Sequence, residues 1–216
     1  MIIEQPARFL RWIYPHAWWR MDSSSKVIYL TFDDGPIPEA TPFVLDTLDR
    51  YNIKATFFMV GDNVRKHPDI FADVARRGHR IGNHTFNHIG GVRGSAKDYI
   101  DNTEKANAII QQHLKTIRPN DNTPLNLFRP PHGWMLSPHY RTLRRMGYKI
   151  IMWDLVTRDY SRRLTADDVV DNVKQYARNG SIITFHDSLR SIDKLRTALP
   201  ESIEWLIQQG FEFKTL

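Results

Sequence analysis

The chain carries two adjacent carboxylates, Asp33 and Asp34, directly after an apolar run and directly before the dipeptide Gly35-Pro36. A turn at this dipeptide lets both carboxylates face one site at the end of the preceding strand. Two negative charges this close repel each other unless a cation neutralises the pair. We therefore expect a metal ion, a catalytic proton or both at this strand end, with a solvated Asp-Asp turn as the alternative.

Two histidines, His84 and His88, stand four residues apart after a second short apolar segment. Imidazoles with this spacing lie on one side of a helical turn, where both can bind one cation. Together with Asp34 they form a set of three ligands that leaves coordination positions open, as in catalytic metal sites. Because the chain has no cysteine, no thiolate can bind the metal. We expect Zn²⁺, with Co²⁺, Mn²⁺, Fe²⁺ and Ni²⁺ as alternatives.

A third histidine, His186, follows another apolar run and is expected to share this site. A histidine after an apolar strand can also be a satisfied core residue, but here it would stand beside the predicted metal. Five further histidines have no comparable context, and we expect them at the surface or in packing: His16, His67, His79, His113 and His139.

Apolar, strand-like runs alternate with amphipathic, helix-like windows from residue 27 onward, which predicts one parallel α/β domain. The seven predicted strands are Val27–Asp33, Ala55–Val60, Arg80–His84, Leu127–Pro131, Tyr148–Leu155, Ser181–His186 and Phe211–Thr215. The predicted helices are Pro38–Arg50, Pro68–Arg77, Ala96–Leu114, Pro138–Met146, Ala166–Ala177 and Lys194–Gln209.

Chemically suggestive residues stand at the predicted carboxyl ends of several strands rather than at one. They are Asp33 and Asp34, His84, Arg129, Asp154 and His186. An open doubly wound sheet gathers its site at one switch point, whereas a barrel spreads it over most strand ends. This distribution favours a barrel.

The composition of the 216 residues is that of an ordinary globular protein, with 41% hydrophobic and 25% charged residues. The net charge of +6 is expected to be solvated, because the basic residues do not follow a nucleic-acid-binding spacing. No spanning helix or signal peptide is visible, which predicts a cytoplasmic protein or one peripheral to a membrane. Residues 1–25 form an aromatic and basic arm before the domain at 26–216. We expect this arm to pack on the fold, with peripheral membrane contact as the alternative.

Five segments resemble, in order, the five motifs of the polysaccharide deacetylase family (the NodB-homology domain, carbohydrate esterase family 4). They are Thr31–Pro36, His84–His88, Arg129–Gly133, Trp153–Tyr160 and Ile183–Asp187. The resemblance covers residues 26–216 and implies a distorted, seven-stranded TIM-like (β/α) barrel. It also implies metal-dependent removal of N- or O-acetyl groups from a carbohydrate or glycoconjugate.

The resemblance further implies a role for each matched residue. Asp34, His84 and His88 would hold the metal, and Asp33 would be the general base. His186 would be the general acid that protonates the leaving amine. Arg129 would orient Asp33, and Asp159 would tether His186.

The chain departs from the family pattern at four positions. His132 stands where the family usually has Tyr or Phe, and Val156 where it has Asp. Tyr160 replaces Trp, and Thr184 replaces Leu. With Pro131, three of these are expected to bind substrate or its oxyanion, namely His132, Tyr160 and Thr184. The altered lining leaves two alternatives: an amide hydrolase or O-deacetylase of a small molecule, or a non-catalytic carbohydrate-binding relic.

Overall fold

The alternation of strands and helices is present in the computed structural model, which describes residues 4–6, 8–91 and 95–216. The strands are β1 (Val27–Asp33), β2 (Thr56–Met59), β3 (Arg80–Asn83), β4 (Leu127–Phe128), β5 (Lys149–Ile150), β6 (Leu155–Val156), β7 (Ile182–His186) and β8 (Glu212–Phe213). The helices are α1 (Arg8–Ile13), α2 (Thr41–Arg50), α3 (Gly61–Lys66), α4 (Pro68–Arg76), α5 (Ala96–Ile117), α6 (Ser137–Arg145), α7 (Ala166–Tyr176) and α8 (Ile192–Gln208).

Seven strands form a curled parallel sheet in the order β5-β4-β3-β2-β1-β7-β6. The central strand β1 pairs with β2 on one side and β7 on the other, so that Asp33 lies beside both Phe58 and His186. Because the strands are parallel, their carboxyl ends meet at one mouth. The predicted distorted, seven-stranded (β/α) barrel is confirmed.

The fifth predicted strand, Tyr148–Leu155, is wrong as a single element. The segment makes two short strands at opposite edges of the sheet, β5 and β6, separated by a bend. The bend leaves the carbonyl of Met152 outside the strand ladder, where it accepts a hydrogen bond from Arg129 Nη2 at 2.9 Å. A buried, charged donor therefore uses a backbone acceptor that a continuous strand would have occupied.

The last predicted strand also differs from the prediction. Only Glu212–Phe213 is extended, and this strand pairs with the start of β1 outside the seven-strand path. Two short helices, α1 and α3, have no counterpart in the prediction. Six residues are too few to show a clear amphipathic period in a sequence.

The N-terminal arm lies along the gap between β5 and β6. The amide of Trp18 donates to Ile150 O and the amide of Met152 donates to Trp18 O, both at 2.8 Å. Nearer the mouth, the amide of Val156 donates to Glu4 O at 2.8 Å. The expectation that the arm packs on the fold is confirmed, since the backbone of the arm satisfies edge groups that no strand pairs.

Two predicted segments extend beyond the described residues. Residues 1–3 and 7 of the arm lie outside them, as do residues 92–94 of the segment Thr85–Lys97, which the sequence predicts to be a loop. The division into an arm at 1–25 and a domain at 26–216 stays a prediction. None of the helices in the described ranges has the length and apolar character needed to cross a membrane.

Within the described residues, the two larger of three apolar clusters hold most elements in place. The larger lies between the sheet and the helices α2, α4, α7 and α8. The second joins the arm to α6 and β5, and Tyr14 is fully buried in it. A large, fully buried aromatic side chain of this kind contributes about 2–3 kcal/mol by leaving water. The arm is therefore part of the core rather than an appendage.

Candidate active site

The carboxyl ends of the strands surround a cavity of about 680 Å³. The predicted residues that line it are Asp33, Asp34, His84, His88, Arg129, His132, Tyr160, Thr184 and His186, together with Val156. The arm completes the wall with Gln5, Pro6, Phe9 and Leu10. Pro130 rather than the buried Pro131 lines the cavity, and Asp159 lies behind His186.

The turn after β1 points Asp34 into the cavity. Asp34 has φ of 88°, and its carbonyl accepts a hydrogen bond from Asn63 Nδ2 at 2.8 Å. A left-handed aspartate costs backbone energy that this side-chain contact helps to offset. The next residue, Gly35, is fixed from the other side by Asp187, whose Oδ1 accepts its amide at 3.1 Å.

Asp187 is a positioning residue that the sequence analysis did not single out. Its Oδ2 accepts the Thr41 hydroxyl at 2.6 Å, and its amide donates to the carbonyl of Asp33 at 3.1 Å. A Cβ on Gly35 would lie 2.1 Å from Asp187 Oδ2, so only glycine fits there. A signal was present, because Asp187 follows His186 directly at the end of an apolar strand.

The segment from His84 to His88 is not the helical turn that the spacing predicted. It follows β3 as irregular backbone with φ of 66° at Thr85 and 57° at His88. Asn83 holds the start of the segment by accepting the amide of Thr85 at 2.8 Å. Asn102, from α5, accepts the amide of Phe86 at 2.8 Å. Asparagine side chains, not helical periodicity, bring the two imidazoles together.

The donor atoms of Asp34, His84 and His88 all lie within 4.8 Å of one another. The Nε2 atoms of His84 and His88 stand 3.8 and 3.3 Å from Asp34 Oδ1. Ligand atoms around a tetrahedral zinc ion are about 3.3–3.5 Å apart, because each bond is about 2.0–2.1 Å long. The spacing of these atoms therefore fits a divalent metal.

Protonation and hydrogen bonding also fit a metal at this position. His84 Nδ1 lies 2.8 Å from Arg129 O, which can only accept, so Nδ1 carries the proton and Nε2 keeps its lone pair. Burial lowers the pKa of His84 to about 4, which keeps the imidazole neutral as a ligand must be. The buried Oδ1 of Asp34 has no hydrogen-bond donor among the described residues.

A buried arginine, Arg129, fixes the position of the Asp33 carboxylate. Arg129 Nη1 donates to Asp33 Oδ1 at 2.7 Å and to Thr31 Oγ1 at 2.8 Å. Its guanidinium lies 4.2 Å from the ring centre of Phe58, a cation–π contact. Only 1% of the Arg129 side chain is exposed, so Asp33 balances a charge that would otherwise be buried alone.

His186 faces the metal-ligand candidates from the end of β7. Asp159 Oδ1 accepts a hydrogen bond from His186 Nδ1 at 2.8 Å, and Asp159 Oδ2 accepts one from the His186 backbone amide at 2.7 Å. Tyr160 packs edge-on against the imidazole, with ring centroids 4.8 Å apart. Burial alone would lower the pKa of His186, but Asp159, Asp34 and Asp33 together outweigh burial and raise the pKa to about 9. The imidazole is therefore protonated at neutral pH.

The residues that depart from the family pattern all border the cavity. His132 has φ of 59°, and its ring packs edge-on against that of His88, with centroids 4.7 Å apart. Thr184 Oγ1 lies 3.2 Å from Thr31 Oγ1, which also contacts Arg129. Val156 is buried beside them. Compared with the residues usual in the family, the lining of this cavity is therefore more polar at Thr184 and less acidic at Val156.

At the carboxyl end of a (β/α) barrel, a carboxylate and an imidazolium flank three side chains that could hold a metal, an arrangement suited to metal-assisted hydrolysis. The family model described as polysaccharide deacetylase matches residues 20–151, and the chain belongs to this family.

Two named relatives are similar over nearly their whole length, whereas this chain spans only 38–39% of others. A peptidoglycan-N-acetylglucosamine deacetylase from Bacillus cereus is 32% identical over 92% of this chain and 90% of its own. A chitooligosaccharide deacetylase from Bradyrhizobium is 30% identical, with 90% of each chain covered. The crystal structure of the peptidoglycan N-acetylglucosamine deacetylase Bc1960 superposes with a TM-score of 0.83 at 30% identity, covering 95% of this chain and 94% of that one.

Proposed function

We propose that this protein is a metal-dependent hydrolase that removes N-acetyl groups from a carbohydrate or glycoconjugate and releases acetate. The observation that carries the proposal is the convergence of Asp34, His84 and His88 beside Asp33 and His186 in one cavity. Membership of the polysaccharide deacetylase family and two relatives named as deacetylases of N-acetylated glycans support it.

The metal would be held by Asp34, His84 and His88. One carboxylate and two neutral imidazoles suit Zn²⁺ first, with Co²⁺, Mn²⁺, Fe²⁺ and Ni²⁺ as alternatives. A bound divalent ion lowers the pKa of water and polarises an amide carbonyl. His84 Nδ1–H donates a hydrogen bond to Arg129 O, and this bond fixes the imidazole in an orientation that suits metal binding.

Asp33 would act as the general base. Arg129 binds only its Oδ1 among the described contacts, and Asp33 lines the cavity, so the carboxylate can take a proton from an attacking water. Arg129 is itself fixed by Thr31 and by the carbonyl of Met152. This rigid support keeps the Asp33 carboxylate oriented toward the cavity, and a fixed orientation of the base contributes to the reaction rate.

His186 would act as the general acid. An expelled amine is a poor leaving group unless it is protonated, and His186 carries its proton up to a pKa of about 9. Because Nδ1 is bonded to Asp159, Nε2 is the atom that can donate toward the cavity. Asp33 and His186 thus lie beside each other on β1 and β7, where Asp33 would accept a proton and His186 would donate one.

The remaining wall would bind the sugar and the oxyanion. His132, Tyr160 and Thr184 line the cavity, and Pro131 would act through the 3₁₀ turn that it begins. A volume of about 680 Å³ is within the ordinary range for small-ligand sites, so a short oligosaccharide segment fits. Glycans of peptidoglycan or chitooligosaccharide type are therefore the first substrates to test.

The deciding experiment measures acetate release by protein loaded in turn with Zn²⁺, Co²⁺ and Mn²⁺. The panel consists of chitooligosaccharides, peptidoglycan fragments, acetylated xylan and an N-acetylglucosaminyl lipid. His84→Ala should lose both metal and activity, while His16→Ala, an exposed histidine of the arm, should keep both. If metal-loaded protein releases no acetate from any glycan, the proposal fails and the small-molecule or non-catalytic alternative takes its place.

A further inference from the structure

Helix α1 presents an apolar face that no other described element covers. Phe9, Trp12 and Ile13 are 52%, 84% and 40% exposed. They are spaced i, i+3 and i+4, so they share one side of the helix. Leu10 and Tyr14, on the other side, are buried in the second core cluster. The exposed residues are therefore not needed to attach the helix to the barrel.

The apolar face continues onto the loop before α6. Met135 is fastened to the arm, because its amide donates to Tyr14 Oη at 3.0 Å and its carbonyl accepts from the same hydroxyl at 2.6 Å. On either side of it, Trp134 and Leu136 are 43% and 45% exposed. We call Phe9, Trp12, Ile13, Trp134 and Leu136 the aromatic rim. Phe9 and Trp134 also line the mouth of the cavity.

The two segments that form the aromatic rim carry an excess of basic over acidic residues, although Arg129 within them is buried and paired with Asp33. Residues 5–21 and 122–153 carry eight of the 30 basic residues and none of the 24 acidic ones, so the rest of the chain is slightly acidic. The two segments pack together through Tyr14 and Tyr140, whose rings are 5.2 Å apart. Arg141, Arg144 and Arg145 are exposed on α6, which begins directly after Leu136.

We propose that the aromatic rim and the cationic side of α6 dock onto the surface of an anionic lipid bilayer. Tryptophan and other large apolar side chains insert at the headgroup level, and neighbouring arginines bind anionic headgroups. A soluble glycan in the cavity would contact Phe9 and Trp134 but not Trp12 or Ile13, which do not line it. A soluble polyanion would use the arginines and leave the apolar face unexplained.

Docking in this way places the mouth of the cavity at the lipid headgroups, since Phe9 and Trp134 belong to both surfaces. The proposal does not depend on the proposed deacetylation. It concerns where the protein is held, and it can be measured without substrate or metal.

The test is co-sedimentation of the full chain with vesicles of phosphatidylcholine alone or mixed with phosphatidylglycerol. The protein should bind the anionic vesicles and lose binding as salt rises. Trp12→Ser combined with Ile13→Ser should weaken binding about tenfold or more, because two large apolar groups no longer leave water. Ile207→Ser, at a 45% exposed residue of α8, is the matched control and should bind as the parent does.

Charge is tested separately. Arg141→Gln with Arg145→Gln should weaken binding about tenfold or more, while Arg76→Gln with Lys174→Gln, on α4 and α7, should not. Thermal melts and far-UV circular dichroism check that the Trp12 and Ile13 variant is folded. Failure to bind anionic vesicles at low salt would overturn the proposal. Binding that ignores Trp12 but is matched by soluble dextran sulfate would also overturn it, in favour of a polyanion contact.

Discussion

Two buried aspartates, Asp33 and Asp154, stand at opposite ends of the barrel and share a strand neighbour in β7. Asp33 lies beside His186 at the carboxyl end of β7, whereas the amide of Asp154 donates to Ile182 at its start. Each is bonded to an arginine, Asp33 to Arg129 at 2.7 Å and Asp154 to Arg178 at 2.5 Å. Both carboxylates are buried, but Arg129 is 1% exposed whereas Arg178 is 45% exposed.

Their remaining contacts differ. Asp154 also accepts Arg178 Nε and Ser181 Oγ, both at 2.8 Å, and Arg11 at 3.4 Å. In the described residues, the carboxylate of Asp33 accepts hydrogen bonds from Arg129 alone, and it borders the cavity. With two donors on each oxygen, Asp154 has no acceptor site left for chemistry, whereas Asp33 keeps one oxygen open. The placement of Asp154 corrects the expectation that it ends a strand at the site.

The largest effect is expected from Asp33→Asn. The amide oxygen can still accept from Arg129, so the metal ligands should remain in place, but the buried Arg129 loses its counter-charge, which lowers stability, and the base is gone. We expect turnover to fall about 10³-fold or more while metal content stays near one ion per chain. Acetate release and elemental analysis of the same sample measure the two quantities.

Two outcomes would contradict the assignment of Asp33 as the general base. Activity of Asp33→Asn within about tenfold of the parent would remove Asp33 as the base. Loss of metal from that variant would instead make Asp33 a ligand or a support of one. Asp154→Asn is the matched control, because it makes the same chemical change at the saturated carboxylate.

A third buried aspartate, Asp159, extends the comparison because one of its hydrogen-bond donors is His186, the proposed general acid. With Asp34 and Asp33, it raises the pKa of His186 to about 9, so the acid is competent below that pH and is lost as pH rises through it. Asp159→Asn removes this charge, and the alkaline limb of the pH–rate profile should move down by about 1–2 units. A profile measured from pH 6 to 10 decides, and an unmoved limb would show that another group sets it.

The smallest effect on activity is expected from Asp154→Asn itself. The variant weakens hydrogen bonds to Arg178 and Ser181 but leaves the cavity untouched. We expect a loss of about 2 kcal/mol in the free energy of unfolding and about 4–8 °C in Tm, with kcat near that of the parent. Thermal melts and acetate release measure both. A large drop in kcat at full folding would mean that the two ends of the barrel are coupled.

The residues around the cavity could be predicted because strand ends are local features of a sequence. Asp33, His84, Arg129 and His186 each follow or end an apolar run, and parallel strands bring such ends together. The sequence also carried the five motifs, which assign these residues to one family. The barrel and its site were therefore visible without any long-range contact.

The parts that were not predicted depend on contacts across the fold. Tyr148–Leu155 has the composition of one strand, and only the need of Arg129 for the carbonyl of Met152 shows why it bends. Asp154 was placed at the wrong end by the same error. The arm along the gap between β5 and β6 and Asn102, which holds the amide of Phe86, likewise act over 16 or more residues. No pattern within a short window contains this information.

The contact between Gly35 and Asp187 constrains how this sequence can change with time. A side chain at position 35 would collide with the carboxylate while Asp187 is present, yet shortening Asp187 first removes the clamp on the turn that carries Asp34. Either single substitution is harmful, and only a double change opens another arrangement. The two positions, 152 residues apart, are therefore expected to be inherited as a pair.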